Sequence, residues 1–267
     1  MKQPSECPPG RSDYNTAFMQ TLIEVSEEHG VRYLHFGSSW VQGAMRIARP
    51  WSLELAYTRE MMASLLLRPE PDWPRTVLLI GLGAASLTKF LYRHRPQARL
   101  TVVEISPAVV AAARQCFKLP DDPERLKIEV ADGVAFVANS KRRFDLILVD
   151  GFDADARAGA LNSVPFYQLC RGRLSENGLL AVNLLRRNRA HEVGIEALRE
   201  AFDGRALAFP PTDGGNTIAF AASGRPIRIS IAALMQSAGR LKSATRLDLT
   251  PTLERLLQSR AGDGLEL

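Results

Sequence analysis

The sequence is poor in the residues that build covalent or metal-bound frameworks. Its 267 residues include three cysteines and four histidines. Cys7, Cys116 and Cys170 are widely separated and form no CxxC pair, which argues against a disulfide scaffold or a zinc site. The histidines show no spacing typical of metal ligands. We therefore predict reduced, isolated thiols and no bound metal.

Long apolar runs are also missing. No stretch approaches the ~18 apolar residues that a membrane span needs, and the opening residues MKQPSECPPG lack the apolar core of a signal peptide. Hydrophobic residues nevertheless make up 46% of the chain, which is ample for a large buried core. We expect a soluble, cytoplasmic protein with no membrane partner.

The charge excess is small, with 34 Lys and Arg against 29 Asp and Glu and a net charge of +5. A basic surface can attract nucleic acid. However, basic clusters such as Lys141–Arg143 have no interleaved aromatic residues, and no nucleic-acid module is recognisable. We interpret these clusters as solvated surface, which does not favour a nucleic-acid partner.

The pattern of residues divides the chain into four predicted parts. Residues 1–20 are polar and resemble a flexible arm, and residues 21–70 combine short alternating runs with a helical stretch at Leu53–Leu67. Residues 71–223 form the main domain, and residues 224–267 have helical periodicity with interspersed Arg and Lys. We predict an N-terminal β-hairpin region with a linking helix, a catalytic domain and a helical basic tail.

The main domain alternates short apolar strands with helices, which is typical of an α/β fold with a parallel sheet buried on both faces. In such doubly wound folds, ligands bind at the carboxyl ends of the strands. The predicted strands are Val77–Ile80, Leu100–Val103, Leu126–Val130, Phe144–Val149, Leu179–Leu184 and Thr217–Ala222, and the predicted helices are Ala84–Arg95, Pro107–Phe117, Gly133–Asn139, Ser163–Leu174 and His191–Phe202.

Glycines and an acidic residue follow the first two strands of this domain. Gly81 and Gly83 allow a tight turn with free backbone N–H groups, although such turns also use glycine for steric reasons alone. Glu104 ends the next strand, roughly 20 residues after Gly81, where a carboxylate suits the two hydroxyls of a ribose. Together they indicate a nucleoside site. Ser86 leaves the dinucleotide fingerprint incomplete.

Two further acidic segments follow the third and fourth strands. Asp132-Gly133 can read the edge of an adenine or cap the following helix, and one residue can do both. The DGFD segment delivers Asp150 and Asp153 to the mouth of the sheet. Two carboxylates there suit a cationic ligand; the alternative is a solvated acidic turn.

These motifs, in this order, resemble the spermidine synthase family of polyamine aminopropyltransferases. The resemblance covers roughly Val31–Ser223 and is most specific at DGFD, which stands in the place of the family's D-S-S-D-P. It implies a doubly wound, class I methyltransferase-like (Rossmann-like) sheet with a small N-terminal antiparallel β domain. It also implies a homodimer.

The resemblance further implies roles for individual residues. Asp150 corresponds to the catalytic base, and Asp153 to the acid that holds the amine acceptor. The residues expected to bind the nucleoside co-substrate are Gln42, Tyr57, Gly81, Gly83, Glu104, Asp132 and Gly133.

The sequence departs from the family pattern at three places. Ala84 replaces the acid that pairs with the donor's terminal amine, and Arg59 replaces the Glu of the family's YxEM motif. The acceptor-side tyrosine has no counterpart in Pro210–Gly214. These departures bear on the identity of the donor and the acceptor.

The resulting hypothesis is transfer of an aminopropyl group from decarboxylated S-adenosylmethionine to a polyamine or other amine, with release of 5'-methylthioadenosine. The donor is a co-substrate, and no permanently bound cofactor or metal is implied. Two alternatives remain open at this point: a methyltransferase that uses intact S-adenosylmethionine, and a catalytically degenerate nucleoside-binding relative.

Overall fold

The N-terminal part of the molecule is a small antiparallel sheet. The computed structural model describes residues 22–37, 40–186, 190–259 and 264–267, so the predicted arm lies outside the described residues. The sheet comprises β1 (Ile23–Glu28), β2 (Val31–Phe36) and β3 (Gly43–Arg46) in that order. Leu34 and Met45 are fully buried against the main domain, which confirms the predicted N-terminal sheet and shows how it docks.

The segment that links this sheet to the main domain was predicted as one helix over Leu53–Leu67, and that prediction is wrong. The structure has two short helices, α1 (Ala56–Met61) and α2 (Ser64–Leu67). Between them, the N–H groups of Met62 and Ala63 bond to carbonyls three residues earlier. This tighter 3-10 pattern interrupts the α-helical periodicity.

The central sheet has, among the described residues, the order β6-β5-β4-β7-β8-β10-β9. Its strands are β4 (Thr76–Ile80), β5 (Arg99–Glu104), β6 (Leu126–Val130), β7 (Phe144–Val149), β8 (Leu174–Leu185), β9 (Ala206–Ala208) and β10 (Asn216–Ala222). The first five in spatial order are parallel, as predicted, whereas β10 runs antiparallel to both β8 and β9. Strand β9 was not predicted, because three residues are too short for a recognisable alternation.

Helices follow the strands much as the sequence pattern indicates. They are α3 (Ser86–His94), α4 (Pro107–Cys116), α5 (Gly133–Asn139), α6 (Val164–Arg173) and α7 (Ala190–Ala201). Side-chain oxygens of Ser106, Asp132 and Ser163 cap the N-termini of α4, α5 and α6. These caps explain why the helix starts could be read from the sequence.

The sheet is buried on both faces, as the apolar strands predict. Alternate residues of β4 belong to different core clusters: Val77 and Leu79 lie in one, and Leu78 and Ile80 in the other. This alternation follows from the two-residue period of a strand. The helices on the two faces are therefore held by separate apolar layers.

The C-terminal tail is helical, as predicted, with α8 (Ile231–Thr245) and α9 (Thr250–Gln258). A short ribbon of β11 (Arg228–Ser230) and β12 (Gly264–Glu266) accompanies them and was not predicted. Leu253 and Leu256 of α9 are buried in the same core cluster as Met61 of α1. The limits of the four predicted parts stay a prediction. None of the helices in the described residues combines the length and apolar character of a membrane span.

Candidate functional site

A cavity of about 330 Å³ lies at the carboxyl ends of the parallel strands, within the size range of small-molecule sites. Its lining includes all the residues predicted to bind the co-substrate, bind the acceptor or act in catalysis: Gln42, Tyr57, Gly81, Gly83, Glu104, Asp132, Gly133, Asp150 and Asp153. The structure therefore brings together side chains from the N-terminal sheet, the linking helix and the main domain. Their individual roles stay a prediction.

The glycine turn after β4 is shaped by close backbone approach. Gly81 has a positive φ of 94°, and a Cβ added there would lie 2.1 Å from the carbonyl oxygen of Asp150. The steric reason for glycine therefore holds at this position. Gly83 is more open, since the nearest atom to an added Cβ is the carbonyl oxygen of Gln42 at 3.4 Å. The turn leaves the cavity floor free of side chains there.

Glu104 closes the same turn from the next strand. The residue is 7% exposed, and its carboxylate accepts hydrogen bonds from the N–H groups of Leu82 and Ser106, each at 2.9 Å. Burial raises the pKa of Glu104, and these backbone hydrogen bonds act in the opposite direction. Glu104 also lines the cavity, so its carboxylate lies where a ligand can reach it.

Asp132 caps α5 and also lines the cavity. Its Oδ1 accepts a hydrogen bond from the Ala135 N–H at 2.8 Å, so Asp132 caps the helix as predicted. The predicted contact with an adenine stays a prediction. A Cβ added to Gly133 would lie 2.6 Å from Cγ2 of Ile80, which explains glycine at the first turn of this helix. The pair is thus fixed by packing before any ligand arrives.

Asp150 follows β7 and lies at the centre of a hydrogen-bonded chain. Tyr57 donates its hydroxyl to Oδ2 at 3.2 Å, and Asn183 donates its amide to Oδ1 at 2.9 Å. Asn216 in turn donates to Oδ1 of Asn183 at 3.0 Å. Burial raises the pKa of Asp150, while the Asn183 and Tyr57 hydrogen bonds partly oppose that rise. Burial and the Asp150 carboxylate raise the pKa of Tyr57, which keeps its hydroxyl protonated.

Asn183 and Asn216 are two polar residues of the site that were not predicted from the sequence. They are 4% and 8% exposed and stand in the apolar strands β8 and β10. A buried amide needs hydrogen-bond partners, so an asparagine within LLAVNLL is a signal that could have been used. Its partner could not be identified without the order of β8 and β10 in the sheet.

Asp153 organises its own loop. Its Oδ1 accepts the N–H groups of Asp155 at 2.9 Å and Arg157 at 2.8 Å. Asp153 therefore stabilises a turn, as the alternative interpretation of the DGFD segment predicted. One oxygen makes both hydrogen bonds, so the other carboxylate oxygen can serve a ligand in the cavity that Asp153 lines.

Ala84 has a packing role. It is buried in a small cluster with Leu34, Met45 and Phe117, and a Cβ added to Gly43 would lie 2.6 Å from its Cβ. The methyl group therefore faces β3 of the N-terminal sheet. A larger side chain at this position would have to displace that contact.

No group of three or more His, Cys, Asp or Glu residues within the described part of the chain is placed to hold a metal ion. The polar groups of the cavity include backbone N–H groups, carboxylates, amides, the phenol of Tyr57, the hydroxyl of Ser106 and the guanidinium of Arg157. Such groups recognise a nucleoside and an amine by hydrogen bonding.

The strand order and the antiparallel β10 define a class I methyltransferase-like, Rossmann-like fold, and the cavity lies at the strand ends, where such folds bind ligands. The Spermine/spermidine synthase domain matches residues 54–200, more than half of the chain. A polyamine aminopropyltransferase of Neisseria meningitidis serogroup A / serotype 4A is 35% identical over 242 residues, covering 91% of each chain. The chain belongs to the spermine/spermidine synthase family, which confirms the resemblance.

Solved structures support the fold. A probable spermidine synthase from Corynebacterium glutamicum matches 86% of this chain and 92% of its own, with 19% identity and a TM-score of 0.68. Human methyltransferase-like protein 13 in complex with SAH matches 78% of this chain and 95% of its own, with 23% identity and a TM-score of 0.60. Both enzyme types share this architecture, so the fold alone does not select the donor.

Proposed function

We propose that this protein transfers an aminopropyl group from decarboxylated S-adenosylmethionine to a polyamine or other amine and releases 5'-methylthioadenosine. The observation that carries the proposal is Asp150, a partly buried carboxylate that Tyr57 and Asn183 hold in the cavity at the carboxyl ends of the strands. The 35% identity over 91% of the chain to a polyamine aminopropyltransferase supports it.

In this proposal, one side of the cavity binds the adenosine part of the donor. Glu104 accepts the ribose hydroxyls, Asp132 and Gly133 contact the adenine, and Gly81 and Gly83 let the donor approach the backbone. Gln42 and Tyr57 contribute from the N-terminal sheet and from α1. The support is that these residues line one cavity while Glu104 and Asp132 are already oriented by backbone hydrogen bonds.

The chemistry is a displacement at the carbon next to the sulfonium. The acceptor nitrogen forms a bond to this carbon, the carbon–sulfur bond breaks, and sulfur keeps the electron pair as the neutral thioether of methylthioadenosine. The attacking amine must lose a proton, since a free alkylammonium has a pKa of about 10. Asp150 accepts that proton directly or through water, and its raised pKa makes it a better base than an exposed aspartate.

Asp153 orients the acceptor through its remaining carboxylate oxygen. Positioning of the two reactants supplies much of the acceleration in such a displacement. Because the donor carries its own sulfonium leaving group, the proposed reaction requires no resident cofactor or metal. A cytoplasmic location and a homodimer are part of the proposal; size-exclusion chromatography with light scattering tests the latter.

Ala84 favours a second candidate function. A carboxylate and an ammonium ~4 Å apart attract by about 4 kcal/mol at an effective dielectric of 20, before desolvation is counted. Because Ala84 has no carboxylate, the amine of the decarboxylated donor finds no opposite charge there and the donor binds less tightly. The carboxylate of intact S-adenosylmethionine, in turn, is not repelled. The second candidate is therefore a methyltransferase, whose fold is that of human methyltransferase-like protein 13.

Titration calorimetry with the two donors and methylthioadenosine separates these functions. The proposed function predicts tighter binding of the decarboxylated donor and of methylthioadenosine than of intact S-adenosylmethionine. A clear preference for the intact donor would support the methyltransferase instead. If the purified protein binds methylthioadenosine but transfers no group from either donor, it is a catalytically degenerate relative.

A further inference from the structure

The C-terminal tail contacts the short helix that carries Tyr57. Arg255 of α9 donates its Nη2 to Oε2 of Glu60 on α1, across 195 residues of sequence. The matched family domain ends at residue 200, so α9 lies beyond it. This ion pair therefore connects the cavity wall to a part of the chain outside the matched domain.

Glu60 lies three residues after Tyr57, so the two side chains are on neighbouring positions of one helical face. Helix α1 has 6 residues, and no side chain caps its N-terminus. Such a short helix has little stability of its own, and tertiary contacts decide its orientation.

Burying the Glu60 carboxylate without a cationic partner would cost free energy. Its side chain is 1% exposed, whereas that of Arg255 is 33% exposed. Burial raises the pKa of Glu60 to about 7, and Arg255 opposes that rise. Among the ion pairs of the described residues, the cation that compensates the Glu60 carboxylate is the guanidinium of Arg255.

Arg255 is itself held firmly by its helix. Leu253 and Leu256, on either side of it, are buried in the core cluster that contains Met61 and Met62. The apolar face of α9 thus fixes the backbone, and Arg255 reaches from it to α1. The ion pair adds a polar, directional contact to this apolar docking.

We propose that Arg255 is a positioning residue: by holding Glu60, it keeps α1 in the orientation in which the Tyr57 hydroxyl reaches Asp150 at 3.2 Å. This inference rests on the proposed role of Asp150 as the proton acceptor. It assigns the tail a direct part in arranging the catalytic side of the cavity.

A double-variant cycle tests the proposal. Glu60→Gln with Arg255→Met removes the ion pair and leaves no unpaired buried charge. With Glu60 unchanged, Arg255→Lys should keep more activity than Arg255→Met, because lysine can still pair with the carboxylate. We expect kcat to fall about tenfold in the double variant. In a Tyr57→Phe background the same pair of substitutions should cause no further loss. Losses that multiply independently would overturn the proposal.

Hydrogen exchange of residues 56–61 provides a readout that needs no turnover. The Glu60→Gln/Arg255→Met variant should exchange faster there, whereas Lys242→Met should not, because it breaks the Lys242–Asp248 pair within the tail. Unchanged exchange at 56–61 would contradict the inference even in an active enzyme. If the wild-type protein transfers no aminopropyl group, the proposed function fails, and the exchange comparison still decides whether Arg255 holds α1.

Discussion

The two sides of the cavity are built in different ways. On the side proposed to bind the nucleoside, called the nucleoside side, Glu104 and Asp132 accept hydrogen bonds from backbone N–H groups of the turns and helix that follow nearby strands. On the catalytic side, Asp150 is held by side chains from distant segments, Tyr57 at a separation of 93 residues and Asn183 at 33. The nucleoside side is therefore set by local turn chemistry, and the catalytic side by how helices and strands are assembled.

This difference predicts distinct responses to substitution. Changes on the nucleoside side should alter stability and ligand affinity together, because the same groups hold the turns and face the ligand. Changes on the catalytic side should alter turnover or its pH dependence while the nucleoside still binds. The following variants test that separation.

Asp150→Asn should have the largest effect. It removes the proposed proton acceptor, so we expect kcat to fall by about a thousandfold, while methylthioadenosine still binds in calorimetry. Asp155→Asn, on the exposed part of the same loop, is the matched control and should stay within about threefold of wild type. Full activity in Asp150→Asn would show that the carboxylate is not the base.

Gly81→Ala should have the next largest effect, on stability. The positive φ and the 2.1 Å approach to the Asp150 carbonyl both oppose a Cβ, and we expect a loss of about 3 kcal/mol in urea unfolding. Gly204→Ala is the control, since Gly204 has a φ of 81° but nothing within 4 Å of an added Cβ. It should lose only about 1 kcal/mol. Equal losses would mean that close packing at Gly81 contributes nothing.

Glu104→Gln should weaken nucleoside binding. The new amide places an NH2 group opposite one of the two N–H donors that the carboxylate now accepts. We expect methylthioadenosine affinity to fall about tenfold in calorimetry, with Glu124→Gln, an exposed residue, as the unaffected control. Undiminished affinity would show that Glu104 does not make the proposed ribose contact.

Asn183→Leu should have the smallest effect, on the pH profile. Protonated Asp150 cannot accept a proton, so the rate falls as pH drops through its pKa, which burial raises. The Asn183 hydrogen bond favours the charged form, and its loss should raise that pKa further and move the acidic limb of kcat/KM to higher pH. Asn139→Leu, whose amide bonds only a helix carbonyl, should leave the limb unchanged. If the acidic limb does not move in Asn183→Leu, the Asn183 hydrogen bond does not set the pKa of the catalytic base.

The same raised pKa has a consequence for stability. Because the folded pKa of Asp150 exceeds its unfolded value, the ionised form is disfavoured in the folded state. Its contribution to unfolding free energy is most favourable below the unfolded pKa and declines as pH rises through the folded pKa. Asp150→Asn should therefore gain stability at neutral pH relative to wild type in urea titrations, and a loss there would contradict this.

The sequence predicted those features that depend on local signals. Strand β6 and helix α5 have the predicted bounds, since the strand is a compact run and Asp132 caps the helix. Most residues of the site could be listed because they end or follow a strand, whereas Gln42 and Tyr57 were assigned from the family resemblance alone. The listed strand-end residues are Gly81, Gly83, Glu104, Asp132, Gly133, Asp150 and Asp153. The antiparallel placement of β10 was not predicted, because strand order depends on contacts that leave no local pattern.

The contacts between distant segments could not be predicted from the sequence either. Asn183 and Asn216 meet only because β10 lies beside β8, and Glu60 meets Arg255 only because α9 docks on α1. The break at Met62-Ala63 also depends on how the linking segment is buried. What the sequence left open is thus concentrated on the catalytic side of the cavity.

The most direct test of the account is product analysis by mass spectrometry. Purified protein is incubated with a panel of polyamines and either decarboxylated or intact S-adenosylmethionine. The proposed function predicts methylthioadenosine and an amine enlarged by one aminopropyl group from the decarboxylated donor, and neither product with Asp150→Asn. Methylated product from the intact donor, with no turnover of the decarboxylated one, would contradict it.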